Sequence, residues 1–366
     1  MGPDPAVAAV RLAVRRALPV LTDDDGVRWI PDVRRPGAVL VACSGGADSL
    51  ALLAATVFEV RKVDGVRVVG AVVDHALQEG SAEHTARVVA QMAQLGADET
   101  ASIRVSVDPG PGGVEAGARE ARYAALSRMA QHFGADRVLL GHTLDDQAET
   151  VLLGLTQGSG PRSLQGMRAE IKELGGPLVQ RPMLGLTRAQ TEAACRAEQI
   201  AWWEDPQNRD QRFLRARVRH VVMPLLEAEL GPGVAAALAR TGPMVRDDLA
   251  ALDAIAEDEL GRLDLATGVD LEHLEHLEHV VLTRVLRLAA LAAGCPPREL
   301  THGHVTALVE MVWRRRGEAR DLDLPGHVRA VRRDDVLRIE GRQAPGDRGP
   351  DRGRGRPDDT GTHVAG

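Results

Sequence analysis

Short runs of Val, Leu and Ile alternate with longer amphipathic segments through the first half of the chain. Short apolar runs bounded by turn residues predict buried strands, whereas apolar positions at helical spacing predict amphipathic helices. The predicted strands cover 38–43, 67–74, 102–107 and 136–141, and the predicted helices cover 48–62, 81–95, 114–133 and 144–155. This alternation predicts an α/β fold with a doubly wound, mostly parallel sheet covered by helices on both faces.

Helical periodicity dominates after residue 182, and signals for strands become rare. Predicted helices cover 187–199, 212–230 and most of 233–293, and short strands are predicted at 320–324, 327–331 and 336–339. We predict four parts: a helical extension (1–36), the α/β domain (37–210), a mainly helical domain (211–340) and a disordered tail (341–366). The tail is rich in Gly, Pro, Asp and Arg and has too few apolar residues to form a core.

Composition narrows the classes of protein to consider. The 366 residues are 44% hydrophobic, which is enough for two domains with cores of their own. The formal net charge of −7 means that a nucleic-acid partner must contact a local basic patch. The three cysteines, Cys43, Cys195 and Cys295, lie far apart and form no disulfide or metal motif, which agrees with a reducing cytoplasm. Neither a signal peptide nor a membrane span is expected.

The first predicted strand ends at a glycine-containing segment, 44–49, with the sequence Ser-Gly-Gly-Ala-Asp-Ser. Glycines let the backbone turn sharply, so the N–H groups of the turn and of the following helix start can bind an anion. Ser44 and Ser49 add hydroxyl donors, and Asp48 is a candidate Mg²⁺ ligand beside phosphate oxygens. The segment lacks the Gly-Lys-Ser/Thr ending of a Walker loop, which argues against transfer of a terminal phosphate. An ordinary glycine turn is the alternative.

The segment after the fourth predicted strand also carries polar residues. Gly141 and His142 end that strand, and Asp145 and Asp146 follow at the start of the next helix. Acidic residues suit a helix N-terminus, but two adjacent acids after a strand end favour a Mg²⁺ or proton-acceptor role. Because ligands of parallel sheets bind at the carboxyl ends of strands, we expect this segment and segment 44–49 to form one site.

Two other sets of charged residues have both a functional and a structural interpretation. Arg119 and Arg122 share a helix face, where they would neutralise charge beside a pyrophosphate or simply contact solvent. A basic run at 209–220 would suit RNA phosphates or form a solvated helix face. The repeat Leu-Glu-His at 271–279 places a leucine at every third position, which favours core packing over a metal site.

Taken in order, these segments resemble one family, the bacterial tRNA(Ile)-lysidine synthetases of the PP-loop, or N-type ATP pyrophosphatase, superfamily. The motifs that carry the resemblance lie at 44–49, 74–77, 118–123, 141–150, 158–167, 181–184 and 204–219. The resemblance covers about residues 38–226 and identifies a short form without the family's extra C-terminal domain. Gln78, Gln157 and Ala216 depart from the family's usual residues, which affects individual phosphate or RNA contacts.

The resemblance implies an ATP-dependent ligation. Free lysine would be joined to C2 of the wobble cytidine of tRNA(Ile) with a CAU anticodon, through an adenylated cytidine, with release of AMP and pyrophosphate. The product, lysidine, changes decoding from AUG to AUA. ATP and Mg²⁺ are the implied cofactors, the second domain would bind the tRNA, and the cytoplasm is the expected location. A homodimer is the assembly considered.

The resemblance also assigns roles to residues of this chain. The implied ATP-binding residues are Ser44, Gly45, Gly46, Ala47, Asp48, Ser49, Asp74, His75, Gly141 and His142. The implied catalytic residues are Asp48, Asp145, Asp146 and Arg119, with Asp48 and Asp146 as Mg²⁺ ligands and Asp145 or Asp146 as the acceptor of the lysine proton. The implied tRNA-binding residues are Arg122, Asn208, Arg212, Arg215 and Arg219.

Two other functions are compatible with a PP-loop. A tRNA-thiolating enzyme shares the adenylation step, but such relatives usually carry paired cysteines or an iron–sulfur site, and the cysteines here show no such pairing. A nucleotide- or RNA-binding module without turnover is the second alternative. The intact set of Ser44, Asp48, Ser49, Asp145 and Asp146 argues against it.

Overall fold

A computed structural model describes most of the chain. The described residues are 2–18, 37–61, 65–74, 80–106, 113–156, 160–172, 176–205, 210–297, 299–313 and 319–341. His75, Asn208 and the predicted tail beyond residue 341 lie outside the described residues. The chain divides into two compact units, Met1–Asp247 and Asp248–Gly366.

A six-stranded sheet forms the centre of the first unit. Its strands are β1 (Gly37–Ala42), β2 (Val66–Asp74), β3 (Glu99–Arg104), β4 (Ala135–Leu140), β5 (Glu170–Lys172) and β6 (Leu178–Gln180), in the order β3-β2-β1-β4-β6-β5. Neighbouring strands pair in parallel except β5, which is antiparallel to β6. The predicted α/β class and four parallel strands are confirmed, but β3 (Glu99–Arg104) begins and ends three residues before the predicted span 102–107. The two short strands β5 and β6 were not predicted.

Helices follow the strands as the apolar periodicity predicts. They are α1 (Pro5–Ala17), α2 (Ala47–Val60), α3 (Ser81–Gln94), α4 (Gly113–Phe133), α5 (Leu144–Thr156) and α6 (Arg188–Ala197). The central strand β1 is covered on both faces. Val39 and Val41 pack in the cluster that contains Leu52 of α2, whereas Leu40 packs in the cluster that contains Leu126 of α4. Alternate residues of a strand point to opposite faces, so one strand contributes to both cores.

The helical segment after residue 210 belongs to the first unit. It comprises α7 (Leu214–Arg217), a π-helical turn (Val218–Val222) and α8 (Met223–Leu230), and α9 (Val234–Gly261) follows. Val218 and Met223 pack with Ala148 of α5 in one buried cluster. Because of this packing, the division between the compact units falls after Asp247, later than the domain boundary predicted after Asp210.

The second unit contains helices and a small antiparallel sheet. The elements are β7 (Val269–Asp270), α10 (Leu271–Glu275), α11 (His279–Ala292), α12 (His302–Trp313), β8 (Arg320–Leu324), β9 (Val328–Arg333) and β10 (Val336–Gly341). The sheet order is β7-β10-β9-β8. The three predicted terminal strands are confirmed, but the helix predicted over most of 233–293 is interrupted. Gly268, at φ 101°, precedes the unpredicted strand β7.

Two other sequence-based questions concern membranes and the Leu-Glu-His repeat. Leu271 and Leu274 are buried in the core of the second unit, as the packing interpretation predicts.

No single helix among the described residues has the length and hydropathy to cross a membrane. One sharply bent helix pair, 214–230 with 234–261, passes the same test only when its two parts are combined.

Gly141 fixes how closely β4 approaches the start of α2. A Cβ atom on Gly141 would lie 3.1 Å from the carbonyl carbon of Asp48 and from the backbone nitrogen of Ser49. These are backbone atoms, which cannot move aside as a flexible side chain can. Glycine therefore allows the strand end and the segment 44–49 to approach closely at one edge of the sheet, where a larger residue would displace the backbone.

We expect Gly141→Ala to lower the free energy of unfolding by about 1–3 kcal/mol, because the added methyl group overpacks this contact. Urea denaturation followed by circular dichroism measures the change. The control is Gly185→Ala, since nothing lies within 4 Å of a Cβ at that exposed position. Equal effects of the two substitutions would show that the close approach at Gly141 does not constrain the fold.

Candidate active site

The carboxyl ends of β1 and β4 open onto a cavity of about 780 Å³. Most of the residues predicted to bind ATP line it, namely Ser44, Gly46, Ala47, Asp48, Ser49, Gly141 and His142. Its other walls include Arg122 of α4, Arg188 of α6, the segment 202–205 and Arg219. Segment 44–49 and the polar segment after β4 therefore meet at one edge of the sheet in the first unit, as predicted.

The segment 44–49, which we call the phosphate loop, is held by its own side chains. The Ser44 backbone N–H donates to Ser49 Oγ at 3.1 Å, and Ser49 Oγ donates to the Gly46 carbonyl at 3.0 Å. Gly45 has φ 86°, a conformation that favours glycine. Gly46 caps α2 without a side-chain hydrogen bond, so the first N–H groups of the helix have no intrahelical acceptor and suit an anion.

Asp48 lies in the first turn of α2 with 23% of its side chain exposed. Its Oδ1 accepts a hydrogen bond from the Thr191 hydroxyl, and its Oδ2 lies 3.6 Å from Arg188 Nε. Burial raises the pKa of Asp48 to about 6, although the Thr191 hydrogen bond and the Arg188 charge both favour the carboxylate. Among the described residues, Asp48 Oδ2 thus has no hydrogen bond closer than its contact with Arg188, and Asp48 lines the cavity.

His142 is a neutral ring at the cavity wall. Its Nδ1 accepts a hydrogen bond from Arg181 Nε at 3.2 Å, so Nε2 carries the ring proton. Burial lowers the pKa of His142 to about 3, since the nearby Asp146 charge only partly offsets it. His142 can therefore donate a hydrogen bond to a ligand but does not carry a positive charge near neutral pH.

Two acidic side chains of α5 pair with three arginines. Asp146 Oδ1 accepts from Arg219 Nη2 at 2.9 Å and from Arg188 Nη2 at 3.2 Å. Glu149, with 3% of its side chain exposed, lies 2.7 Å from Arg219 Nε and 3.0 Å from Arg215 Nε. These five side chains, which we call the acid–arginine cluster, join α5 to α6 and to the helix after residue 213.

The second oxygen of Asp146 is also engaged. Oδ2 accepts from the Thr143 N–H at 2.9 Å and from the Thr143 hydroxyl at 3.0 Å, which caps the first turn of α5. Burial by itself would raise the pKa of Asp146, but the charge of Arg188 and the Thr143 hydrogen bond outweigh it and hold the pKa below its usual value. Asp146 is therefore an ionised carboxylate at neutral pH.

Other predicted site residues lie around the cavity or away from it. Asp145 does not line the cavity. Its Oδ2 accepts a hydrogen bond from the backbone N–H of Arg188 at 2.8 Å, and this contact anchors the start of α6. Arg119 is exposed and lies outside the cavity lining, so its catalytic role stays a prediction. Asp74 is buried at the end of β2, where Arg104 Nε donates to it at 2.9 Å.

The residues predicted to bind tRNA occupy different environments. Arg122 lines the cavity, and its Nε is buried without a hydrogen-bond partner among the described residues. Burial lowers the pKa of Arg122, and the neighbouring arginines lower it further. Arg212 is exposed and pairs with Asp210 at 2.7 Å. Arg215 and Arg219 belong to the acid–arginine cluster, so their first partners are carboxylates of this chain.

Sequence reasoning missed the contribution of α6. Arg188 and Thr191 contact Asp48, and Arg188 also contacts Asp146, yet neither residue belongs to a segment that periodicity marks as a site. Their role depends on packing between α6 and α2, which local sequence does not reveal. Among the described residues, no group of three or more His, Cys, Asp or Glu side chains is arranged to hold a metal ion.

Comparison with known proteins agrees with this geometry. Residues 22–226 match the family model of the PP-loop domain. The tRNA(Ile)-lysidine synthase of Streptomyces coelicolor is 45% identical over 350 residues, which cover 91% of this chain and 97% of that protein. The tRNA(Ile)-lysidine synthase of Salinispora arenicola is 48% identical, with 90% and 95% of the two chains covered.

One solved structure has a similar fold. The U34-tRNA thiolase NcsA from Methanococcus maripaludis, solved with its 4Fe–4S cluster, superposes with a TM-score of 0.53 at 14% identity. The match covers 66% of this chain and 80% of that chain. At this level of identity the likeness extends to the fold alone.

We expect Glu149→Ala to lower the free energy of unfolding by about 3 kcal/mol, because Arg215 loses its nearest carboxylate and Arg219 keeps only Asp146 as a partner. Urea denaturation measures the loss. Glu192→Ala is the control, because Glu192 pairs at 2.8 Å with Arg196, whose side chain is 60% exposed. An exposed pair of this spacing contributes only about 0.3–0.5 kcal/mol. Similar losses for both variants would contradict a structural role of the buried cluster.

The raised pKa of Asp48 predicts a pH-dependent stability in metal-free buffer. From about pH 4 to pH 6 the folded protein holds a proton on Asp48 that the unfolded chain has lost, so stability falls as pH rises through this range. Asp48→Asn removes the titrating carboxyl group and with it this dependence of stability on pH. We expect the stability of the variant relative to the wild type to increase by up to about 3 kcal/mol between pH 4 and pH 7. A difference that stays constant with pH would contradict the assignment.

Proposed function

The chain belongs to the tRNA(Ile)-lysidine synthase family, and from that premise we propose that it ligates lysine to the wobble cytidine of tRNA(Ile) with a CAU anticodon. The observation that carries the proposal is the cavity in which the phosphate loop faces the acid–arginine cluster. One wall suits the phosphates of ATP. The other supplies an ionised carboxylate and several cations, as a reaction between a nucleotide, an RNA base and an amino acid requires.

The proposed reaction has two steps. The C2 oxygen of cytosine attacks the α-phosphorus of ATP. The bond from the α-phosphorus to the oxygen that bridges it to the β-phosphorus breaks, and pyrophosphate leaves with that oxygen. The ε-amine of lysine then attacks C2, and AMP leaves with the C2 oxygen. Adenylation thus converts a poor leaving group into a good one, which explains why the reaction consumes ATP to AMP rather than to ADP.

Several groups of this chain support the first step. The N–H groups at the start of α2 would bind phosphate oxygens, and the Nε2–H of His142 is a further donor at the cavity wall. Arg122 lines the same cavity, and its Nε has no hydrogen-bond partner among the residues that the structure describes, which suits charge that develops on a leaving pyrophosphate. The target cytidine must leave its stack to enter a cavity of this kind.

Mg²⁺ fits the donor set at Asp48 better than at Asp146. Protein sites usually bind Mg²⁺ through one or two carboxylates together with substrate phosphates, so a larger cluster of ligands is not needed. Among the described residues, one oxygen of Asp48 has no close hydrogen bond, whereas both oxygens of Asp146 are occupied by Thr143 and the arginines. The bound ion would neutralise phosphate charge, and Asp48 would hold it beside the phosphate loop.

The second step needs a proton acceptor. An amine with a pKa of about 10.4 is almost fully protonated at pH 7, which costs roughly 4–5 kcal/mol if only the neutral form reacts. Of the two aspartates predicted for this role, Asp146 lines the cavity and is held ionised by its arginine partners, whereas Asp145 anchors α6. Its position at the cavity therefore supports Asp146 over Asp145 as the acceptor, and one of its Thr143 or arginine hydrogen bonds must give way to the incoming proton.

Contacts with tRNA are proposed at two places. Arg122 and Arg219 line the cavity, where the target nucleotide would lie, and the exposed Arg212 would contact RNA phosphates outside it. Arg215 would act from within the acid–arginine cluster. Free lysine as the second substrate, a cytoplasmic location and a homodimeric assembly stay predictions.

The thiolation alternative is less consistent with the cysteines. All three are buried and free, and burial raises the pKa of both Cys43 and Cys195 to about 12. Sulfur transfer uses the thiolate, which such burial disfavours. The cysteines therefore disfavour thiolation through a thiolate of this chain.

A labelling experiment tests the proposed function. Purified protein is incubated with ATP, Mg²⁺, radiolabelled lysine and a tRNA(Ile) transcript with a CAU anticodon. We expect label in the RNA together with equal amounts of AMP and pyrophosphate, and an incorporation rate about 100-fold lower for Asp146→Asn, which keeps the Thr143 hydrogen bonds but lacks the charge.

The control reaction contains tRNA(Met), which has the same anticodon triplet and tests recognition beyond the target base. Release of pyrophosphate with no label in tRNA(Ile) would contradict the ligation. Formation of ADP instead of AMP would contradict the adenylation step itself.

A further inference from the structure

Residues of α3 and of the segment after α6 contact the backbone carbonyls of the phosphate loop. The Ser44 carbonyl lies 3.0 Å from Nε2 of His84, and the Gly45 carbonyl accepts a hydrogen bond from the Trp203 backbone N–H at 2.9 Å. A carbonyl oxygen can only accept, so His84 Nε2 carries a proton and is the donor. Two consecutive carbonyls of the loop are thus held by groups from α3 and from the segment after α6.

The two donor residues also contact each other. The rings of His84 and Trp203 lie with their centroids 3.9 Å apart and their planes at 39°. The loop is packed closely against α3 as well, because a Cβ atom on Gly45 would lie 2.7 Å from Val88 Cγ2 and 3.0 Å from His84 Cε1. The loop has no space to rotate towards α3, and the imidazole is held in place by the indole.

The directions of these two carbonyls also determine the directions of the N–H groups that would bind an anion. In a trans peptide, the C=O of one residue and the N–H of the next point to opposite sides of the peptide plane. The Ser44 carbonyl therefore sets the direction of the Gly45 N–H, and the Gly45 carbonyl sets that of the Gly46 N–H. With the Ser44 carbonyl turned to His84, the Gly45 N–H points away from α3. With the Gly45 carbonyl turned to the Trp203 backbone, the Gly46 N–H points away from that backbone. Ser44 and Gly46 line the cavity.

We propose that His84 is a positioning residue for phosphate binding, which acts by holding the Ser44 carbonyl while it stacks on Trp203. This inference rests on the proposed function only in taking ATP as the ligand of the phosphate loop. His84 does not line the cavity, so its effect passes through the loop backbone rather than through contact with the nucleotide. Glycine-rich loops bind phosphate best when their N–H groups are already oriented, since no binding energy is then spent on ordering them.

Three variants of α3 separate this role from a general effect on folding. His84→Ala removes the donor and the stacked ring. His84→Gln keeps an N–H donor at the position of Nε2 but not the ring. Arg87→Ala changes an exposed residue on the next turn of the same helix and serves as the matched control. Circular dichroism and the melting temperature establish that each variant is folded.

Direct binding by calorimetry is measured with ATP, inorganic pyrophosphate and adenosine. We expect His84→Ala to weaken binding of ATP and pyrophosphate about tenfold, because one oriented hydrogen bond of the loop is lost, and to leave adenosine unchanged. His84→Gln should recover most of this loss, and Arg87→Ala should match the wild type. In steady-state assays the KM for ATP should rise about tenfold, whereas the KM for lysine should stay within twofold.

The outcomes distinguish this inference from the proposed function. If the wild type binds ATP and forms lysidine while His84→Ala binds ATP and pyrophosphate as tightly as the wild type, the positioning role is wrong and the function stands. The role is also wrong if adenosine loses as much affinity as pyrophosphate, or if His84→Gln is no better than His84→Ala. If the wild type binds ATP but labels no tRNA, the ligation fails while the His84 effect on ATP binding can still be read.

Discussion

The pairing of two α5 carboxylates with three arginines is the interaction on which the rest of the site depends. Glu149 is almost fully buried, and Arg215, Arg219 and Arg188 lie within 4 Å of it as counter-charges. The same contacts bring α6 and the helix after residue 213 to the cavity and keep Asp146 ionised there. Structure and chemistry are therefore coupled, since a change that removes one charge disturbs both the packing of three helices and the state of the carboxylate.

The opposite wall of the cavity follows a different principle. The phosphate loop uses backbone N–H groups rather than charged side chains, and its shape is set by close packing at Gly45 and Gly141 and by hydrogen bonds from Ser49, His84 and Trp203. Backbone dipoles held in this way lose little entropy when a phosphate binds. The cavity thus combines a preorganised anion site with a charged cluster in which the ionisation of Asp146 is fixed by its neighbours.

Sequence patterns predicted the parallel sheet and the phosphate loop because each depends on local residues. Strands β1, β2 and β4 contain continuous apolar runs, and the loop is a contiguous segment at the end of β1. Strands β5 and β6 have three residues each, too few for a periodic signal, and β7 has two. The roles of Arg188, Thr191 and His84 arise from contacts between segments distant in sequence, so no local pattern marks them. The basic run near residue 215 was apparent, but its pairing with Glu149 required the fold.

The wide spacing of the partners of Asp146 has a consequence for how the protein is made. Its Thr143 contacts span three residues and can form as soon as α5 does, whereas its partners Arg188 and Arg219 lie 42 and 73 residues further along the chain. Synthesis proceeds from the N-terminus, and domains begin to fold before the chain is complete. A nascent chain can therefore assemble the central strands and the nucleotide-facing loop while its buried acids still lack counter-charges. Only after residue 219 leaves the ribosome does the pocket reach its final electrostatic state.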